Sequence, residues 1–161
     1  MLIGVVSDTH GSLPDVVVRA FADCAHIIHA GDVGASSVIE RLATIAPLTV
    51  VKGNCDSATL SFDLRRFAAI TLGGVRFFVT HTPADAEASL RGRGFISAQQ
   101  PLPQVCIHGH THVPRNERRG AVMMLCPGSP VHPRAGNGPS VMLVEIEDAK
   151  VTDARTVWLD F

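Results

Sequence analysis

Five times along this chain a short apolar run stops at residues able to bind a metal or move a proton. Leu2-Ile3-Gly4-Val5-Val6-Ser7 ends in Asp8-Thr9-His10-Gly11. Ala25-His26-Ile27-Ile28-His29-Ala30 ends in Gly31-Asp32, and Pro47-Leu48-Thr49-Val50-Val51 in Lys52-Gly53-Asn54. Val75-Arg76-Phe77-Phe78-Val79-Thr80 stops at His81. Val105-Cys106-Ile107-His108 stops at Gly109-His110-Thr111-His112. Apolar runs of this length read as strands buried on both faces. A glycine at the stop permits a sharp turn, and residues i and i+2 past it project near one another.

The segments between the first three runs carry helical patterns. Pro14 fits a first helical turn, after a cap at Ser12, and the helix is expected to run to about Cys24 with Val17, Val18, Ala20 and Phe21 inward. A second helix is expected from Ser36 to Thr44. Strand–helix–strand–helix–strand order with right-handed crossovers makes these strands parallel. Their C-terminal ends then share one edge, where open α/β sheets place their sites. Gly73-Gly74, between Phe67–Leu72 and Val75–Thr80, signals a two-residue hairpin. Pro83 to Leu90 reads as helix and Arg91-Gly92-Arg93-Gly94 as its break, with a loop at Gln99–Pro103. Strands are expected at Val113–Glu117, Ala121–Leu125, Val141–Ile146 and Val151–Leu159, with Asp148-Ala149 turning the last pair. The expected architecture is α/β, two sheets face to face with helices outside, in one domain over residues 1–161.

Composition narrows the function. The net charge is −1 and aromatic residues are 5%, which disfavours bulk binding of nucleic acid. No apolar run reaches membrane-spanning length. The four cysteines form no C-x-x-C pair and no leader pattern is present, so a cytoplasmic protein with free thiols is expected.

Seven polar residues converge at the strand ends: Asp8, His10, Asp32, Asn54, His81, His110 and His112. All offer nitrogen or oxygen, and leaving such a set unpaired at a sheet edge is costly. A divalent metal is the simplest partner. Seven ligands exceed what one ion with an open position needs, so two ions fit better, bridged by a carboxylate at about 3.5–4 Å. These donors admit manganese, iron, zinc, nickel or cobalt, and manganese is the first expectation.

Asp8-Thr9-His10, Gly31-Asp32, Gly53-Asn54, His81 and Gly109-His110-Thr111-His112, in this order, resemble the calcineurin-like metallophosphoesterases, and most closely their small single-domain bacterial and archaeal branch. The resemblance spans residues 2 to about 130. It implies a four-layer α/β/β/α sandwich of two mixed sheets. It implies that Asp8, His10, Asp32 and His112 hold one metal, that Asp32, Asn54, His81 and His110 hold the other, and that Asp32 bridges them. Asp32, Asn54 and His110 are the residues it sets closest to catalysis. The implied reaction is hydrolysis of a small phosphodiester by a metal-bridging hydroxide.

The chain departs from the larger family at Cys55, where many members carry a histidine that protonates the leaving group. Losing a general acid costs about 10²–10⁴ in rate, so a preference for diesters with good leaving groups is expected. Thr82-Pro83 replaces a Gly-His frequent in relatives. His29 and His108 read as core histidines or supports for the ligands, and His26 and His132 as structural or exposed. Cys24, Cys106 and Cys126 fit the core. Arg91, Arg93 and Arg134 could meet substrate phosphate but read first as solvated loop residues, and Pro127-Gly128-Ser129 reads as a segment near the site. Two other readings compete. One is a non-catalytic scaffold resembling the retromer subunit of this fold, against which the retention of His10 argues. The other is a phosphomonoesterase, which the missing histidine disfavours. Exposed hairpin edges leave room for a homodimer or higher homo-oligomer.

Overall fold

Alternation of residues between two buried faces builds most of this molecule. The computed structural model describes residues 1–61, 64–91 and 101–161. Its elements are β1 (Leu2–Val6), α1 (Asp15–Ala20), β2 (His26–His29), α2 (Ser36–Ala43), β3 (Leu48–Val50), α3 (Ala58–Ser61), β4 (Phe67–Leu72), β5 (Val75–Thr80), α4 (Pro83–Leu90), β6 (Val105–Ile107), β7 (Pro114–Arg119), β8 (Val122–Pro127), β9 (Ser140–Glu147) and β10 (Lys150–Trp158). The strands form two five-stranded sheets, ordered β10-β9-β1-β2-β3 and β4-β5-β6-β8-β7. Both are mixed. The parallel pairs are β1 with β2, β2 with β3, β5 with β6 and β6 with β8.

Period-two alternation assigns each face. Ile3 and Val5 of β1 meet Val75, Phe77 and Val79 of β5, Val105 and Ile107 of β6, and Met142 and Val144 of β9 in the core between the sheets. The opposite face of the first sheet packs Val6, Val141 and Leu143 under Val17 and Phe21 of the α1 segment and Val38 and Leu42 of α2. The opposite face of the second sheet sets Phe78, Cys106 and Met124 against Ala86 of α4. The result is the four-layer α/β/β/α sandwich.

Several boundaries differ from expectation. Helix α1 ends at Ala20, not Cys24. The chain then turns, with the Cys24 amide donating to the Phe21 carbonyl at 2.9 Å, and Phe21 is fully buried beneath Gly4, where an added Cβ would lie 2.8 Å from its ring. Burying that aromatic outweighs further helical propensity. The α1 N-cap is Pro14, without a side-chain cap bond, so Ser12 does not cap it. Short helix α3 has no signal in the sequence. Strands β7 and β8 run two residues beyond their expected ends. Both turn residues at Gly73-Gly74 (φ 55° and 81°) and at Asp148-Ala149 (φ 48° and 59°) are left-handed, as two-residue hairpins require. The break at Gly92–Gly94, Arg93 and the first part of the Gln99–Pro103 loop lie outside the described residues.

Candidate metal centre

Parallel pairing of β1, β2 and β3, and of β5, β6 and β8, brings five polar strand ends together where the sheets meet. The Asp8 amide donates to the Gly31 carbonyl and the His10 amide to the Asp32 carbonyl, both at 3.0 Å, so the first two loops are laced together. The fifth loop joins the fourth through the Gly109 amide, which donates to the His81 carbonyl at 2.9 Å, and the first through the His110 amide, which donates to Asp8 Oδ2 at 3.0 Å. A Cβ on Gly109 would lie 1.9 Å from Ser7 Oγ, which is why glycine stands between the two histidine positions.

Five of the seven expected ligands hold left-handed backbone: Asp8 (φ 56°), His10 (45°), Asp32 (53°), His110 (72°) and His112 (59°). Such conformations cost about 1–3 kcal/mol each outside glycine and persist only where the surroundings over-determine them. Here they turn the side chains inward. Asp8 Oδ1 lies 3.2 Å from His112 Nε2, 3.9 Å from His10 Nε2 and 3.9 Å from His81 Nε2. Asp32 Oδ2 lies 3.4 Å from His81 Nε2 and 3.9 Å from His10 Nε2. His10 Nε2 and His112 Nε2 face each other at 3.4 Å. Among the described residues, Asp8, His10 and His112, then Asp8, Asp32 and His81, and then His10, Asp32 and Cys55 form three groups whose ligand atoms lie within 4.8 Å of one another. Asn54 and His110 pair instead with each other, Asn54 Oδ1 to His110 Nδ1 at 3.0 Å, on the exposed side. The His110 ring stands edge-on to His81 at 5.3 Å between centroids.

The protonation pattern suits a cation. His81 Nδ1 bonds the Ala30 carbonyl at 2.7 Å and His112 Nδ1 the His132 carbonyl at 2.7 Å. Each neutral ring therefore presents the lone pair of Nε2 inward. Asp8 Oδ1 and His81 Nε2 are buried without a hydrogen-bond partner among the described residues. Orphaned buried groups of this kind cost about 1–3 kcal/mol or more, and the cost is relieved by a cation shared between them. Burial works to raise the Asp32 carboxyl, but the His81 ring and the Cys55 amide, 2.8 Å from Oδ1, outweigh it and hold Asp32 well below the usual range. For His81, burial favours the neutral ring, yet Asp32, the Ala30 carbonyl and Asp8 prevail and raise it.

Supporting residues sit behind these. The Thr9 hydroxyl donates to the Val33 carbonyl at 2.9 Å, so it accepts from His29 Nε2 at 2.9 Å, while His29 Nδ1 accepts from the Gly31 amide. His108 Nε2 accepts from Arg115, which also pairs with Glu87 and Glu117. His26 bonds Thr49 across to β3. Cys24, Cys106 and Cys126 are buried, and Cys55 is exposed.

Burial, and then the neighbouring His81 charge, push His29 down to about 3, and burial lowers His108 as well. Native His29 stays neutral while the unfolded chain takes up a proton below about pH 6.5. Metal-free protein is therefore expected to hold this contribution in full above that pH. It loses the contribution as pH falls toward 3, by up to about 1.4 kcal/mol per pH unit, while the raised His81 works in the opposite sense. Urea unfolding at pH 7 and pH 5 measures the difference, and a smaller difference in His29→Gln assigns it. Stability that does not fall between these pH values would remove the assignment.

Sequence reasoning missed Asp56, placed Ser129 near the site without a role, and gave His132 and Arg134 no part in the cleft. Asp56 accepts from the Gly34 amide at 3.0 Å and the Gly53 amide at 2.8 Å, clamping two ligand loops. Ser129 donates to the Asp8 carbonyl at 2.8 Å and accepts from the His132 amide at 2.9 Å. His132 is not simply structural: its ring stands 5.4 Å from that of His10. Arg134, expected as a solvated loop residue, lines the same cleft of about 420 Å³ as His10, Asp32, Asn54, Cys55, His110, His112 and His132. The local signal is weak because the contacts that reach the site are distant: Asp56 to Gly34 across 22 residues, Ser129 to Asp8 across 121, and His132 to His112 across 20.

Residues 1–149 match the family described as the calcineurin-like phosphoesterase superfamily domain. The chain is 32% identical to a probable metallophosphoesterase of Methanothermobacter thermautotrophicus, over 98% of this chain and 92% of that protein. It is 30% identical to phosphodiesterase YfcE of Escherichia coli, over 90% and 88% of the two chains. The solved structure of YfcE superimposes with a TM-score of 0.71 over 96% of this chain and 98% of that one, at 27% identity. Vps29 of Entamoeba histolytica, solved with zinc, shares the fold with a TM-score of 0.75 at 22% identity, over 98% and 97% of the two chains.

Proposed function

The chain belongs to the calcineurin-like phosphoesterase superfamily, and from that premise we propose that it is a metal-dependent phosphodiesterase acting on small phosphodiesters, one catalytic domain over residues 1–161 that works in the cytoplasm with a dinuclear centre. The observation that carries this reading is the orphaned pair of buried atoms, Asp8 Oδ1 and His81 Nε2. Asp8, His10, Asp32 and His112 would hold one ion, and Asp32, Asn54, His81 and His110 the other, with manganese the preferred metal. Held there, two divalent ions would supply an activated water near neutral pH and charge to offset a phosphate in its transition state.

The residues themselves do the rest. His29 and Thr9 lock the Asp8–His10 loop onto the Gly31–Asp32 loop. The Ala30 and His132 carbonyls fix the tautomers of His81 and His112. Asn54 orients His110 at the open wall. Cys55, exposed in the cleft beside Asn54, takes the place of a proton donor and leaves the departing oxygen dependent on its own acidity.

Metal-stripped protein is expected to hydrolyse bis(p-nitrophenyl) phosphate only after manganese, nickel, zinc or cobalt is restored. It is expected to turn over a diester with one alkyl leaving group far more slowly. Absence of turnover with every metal, in protein shown to bind two ions, would favour the scaffold reading that the Vps29 fold brings to mind. Faster release of p-nitrophenol from the monoester than from the diester would favour a phosphomonoesterase.

A further inference from the structure

The loop after β8 is tied to the metal centre along its length. Ser129 bonds the Asp8 carbonyl, the His132 carbonyl accepts from His112 Nδ1, and the Arg134 amide donates to the His112 carbonyl at 3.3 Å. Beyond it the chain closes a tight turn. The amide and the side-chain nitrogen of Asn137 both donate to the Arg134 carbonyl, at 3.1 and 2.9 Å, and Ala135 and Gly136 are left-handed. The Arg134 backbone is thus held from both sides. Its side chain lines the cleft above His10, Asp32, His110 and His112.

Several exposed arginines here are occupied. Arg41 pairs with Asp15, Arg119 with Glu87, and Arg155 with Glu145 and Asp153. The Arg134 guanidinium makes no ion pair or hydrogen bond among the described residues, although it fronts a site built on Asp8 and Asp32. Loading two divalent ions onto two carboxylates leaves a net positive centre, which repels a neighbouring guanidinium. An anchored cation at that position is favourable only when an anion lies between it and the ions. A planar fork that binds phosphate oxygens in pairs meets this requirement better than an ammonium.

We propose that Arg134 is a substrate-binding residue whose guanidinium grips a non-bridging oxygen of the scissile phosphate from the side opposite the metal ligands. This rests on the phosphodiesterase reading. It gives the cleft a cation on an anchored backbone that neutralises the phosphoryl group without protonating the leaving group, the role Cys55 leaves unfilled.

The test is titration of inorganic phosphate into manganese-loaded wild type, Arg134→Gln and Arg134→Lys by calorimetry, with metal stoichiometry measured on the same samples. Arg118→Gln, on exposed β7, serves as control. Phosphate affinity is expected to fall about 10- to 100-fold in Arg134→Gln, with Arg134→Lys between it and wild type, and with metal content and melting temperature unchanged. The value of kcat/KM on bis(p-nitrophenyl) phosphate should fall in parallel. Phosphate affinity within twofold of wild type would overturn the assignment. Loss of bound metal together with phosphate would also overturn it, making Arg134 a strut for His112. Wild type that binds ions and phosphate but hydrolyses no diester would remove the proposed activity and leave Arg134 standing on its isotherm.

Discussion

Asp32→Asn is expected to lower kcat on bis(p-nitrophenyl) phosphate by about three orders of magnitude or more, on the scale of losing a central electrostatic stabiliser. Asp32 belongs to two of the groups of candidate ligands, with Oδ2 3.4 Å from His81 Nε2 and 3.9 Å from His10 Nε2. Asparagine preserves its size and accepts the left-handed backbone at φ 53°, so the fold is retained and the charge is lost. The new amide also turns a donor toward either the Cys55 amide or the space His81 shares. Metal content by atomic emission, beside steady-state kinetics, distinguishes lost binding from lost chemistry. Activity within tenfold of wild type, with two ions still bound, would show that Asp32 is not the shared carboxylate.

Gly53→Ala should be nearly as damaging although it removes no ligand. A Cβ at position 53 would lie 2.0 Å from Asp32 Oδ1 and 2.1 Å from the Asp32 amide nitrogen. Backbone cannot swing aside as the end of a side chain can, so either the Asp32 loop or the Lys52–Asp56 loop must move. The Gly53 amide is meanwhile held by Asp56. Overpacking of this kind costs about 1–3 kcal/mol, a fall in melting temperature of about 3–10 °C for a chain of this size. Metal affinity should fall with it, because displaced Asp32 no longer faces His81 and His10. Thermal unfolding and metal titration check both effects, and an unchanged melting temperature with full metal binding would refute the clash.

Much of the candidate site was legible because each candidate ligand stands where an apolar strand stops. Burial along β1, β2, β5 and β6 forces that change of character at a fixed position in the chain. The hairpin at Gly73-Gly74, the helix over Pro83–Leu90 and the seven converging residues all follow from local chemistry. The support around them does not. Asp56, Ser129 and Arg134 meet loops far away in the chain, and their own neighbours do not say which bonds they make there. Helix α1 shows the same limit in the fold, since a suitable helical pattern yields to the burial of Phe21.

The chain's own pattern therefore determined which residues reach the common edge of the sheets, through two-residue alternation and the crossover rule. Only the tertiary structure decided how they face one another. The left-handed backbone at Asp8, His10, Asp32, His110 and His112 is unfavourable locally and survives because bonds between distant loops over-determine it. That is also why Asp8 and His81 meet as unpaired buried atoms, an arrangement no local preference would produce.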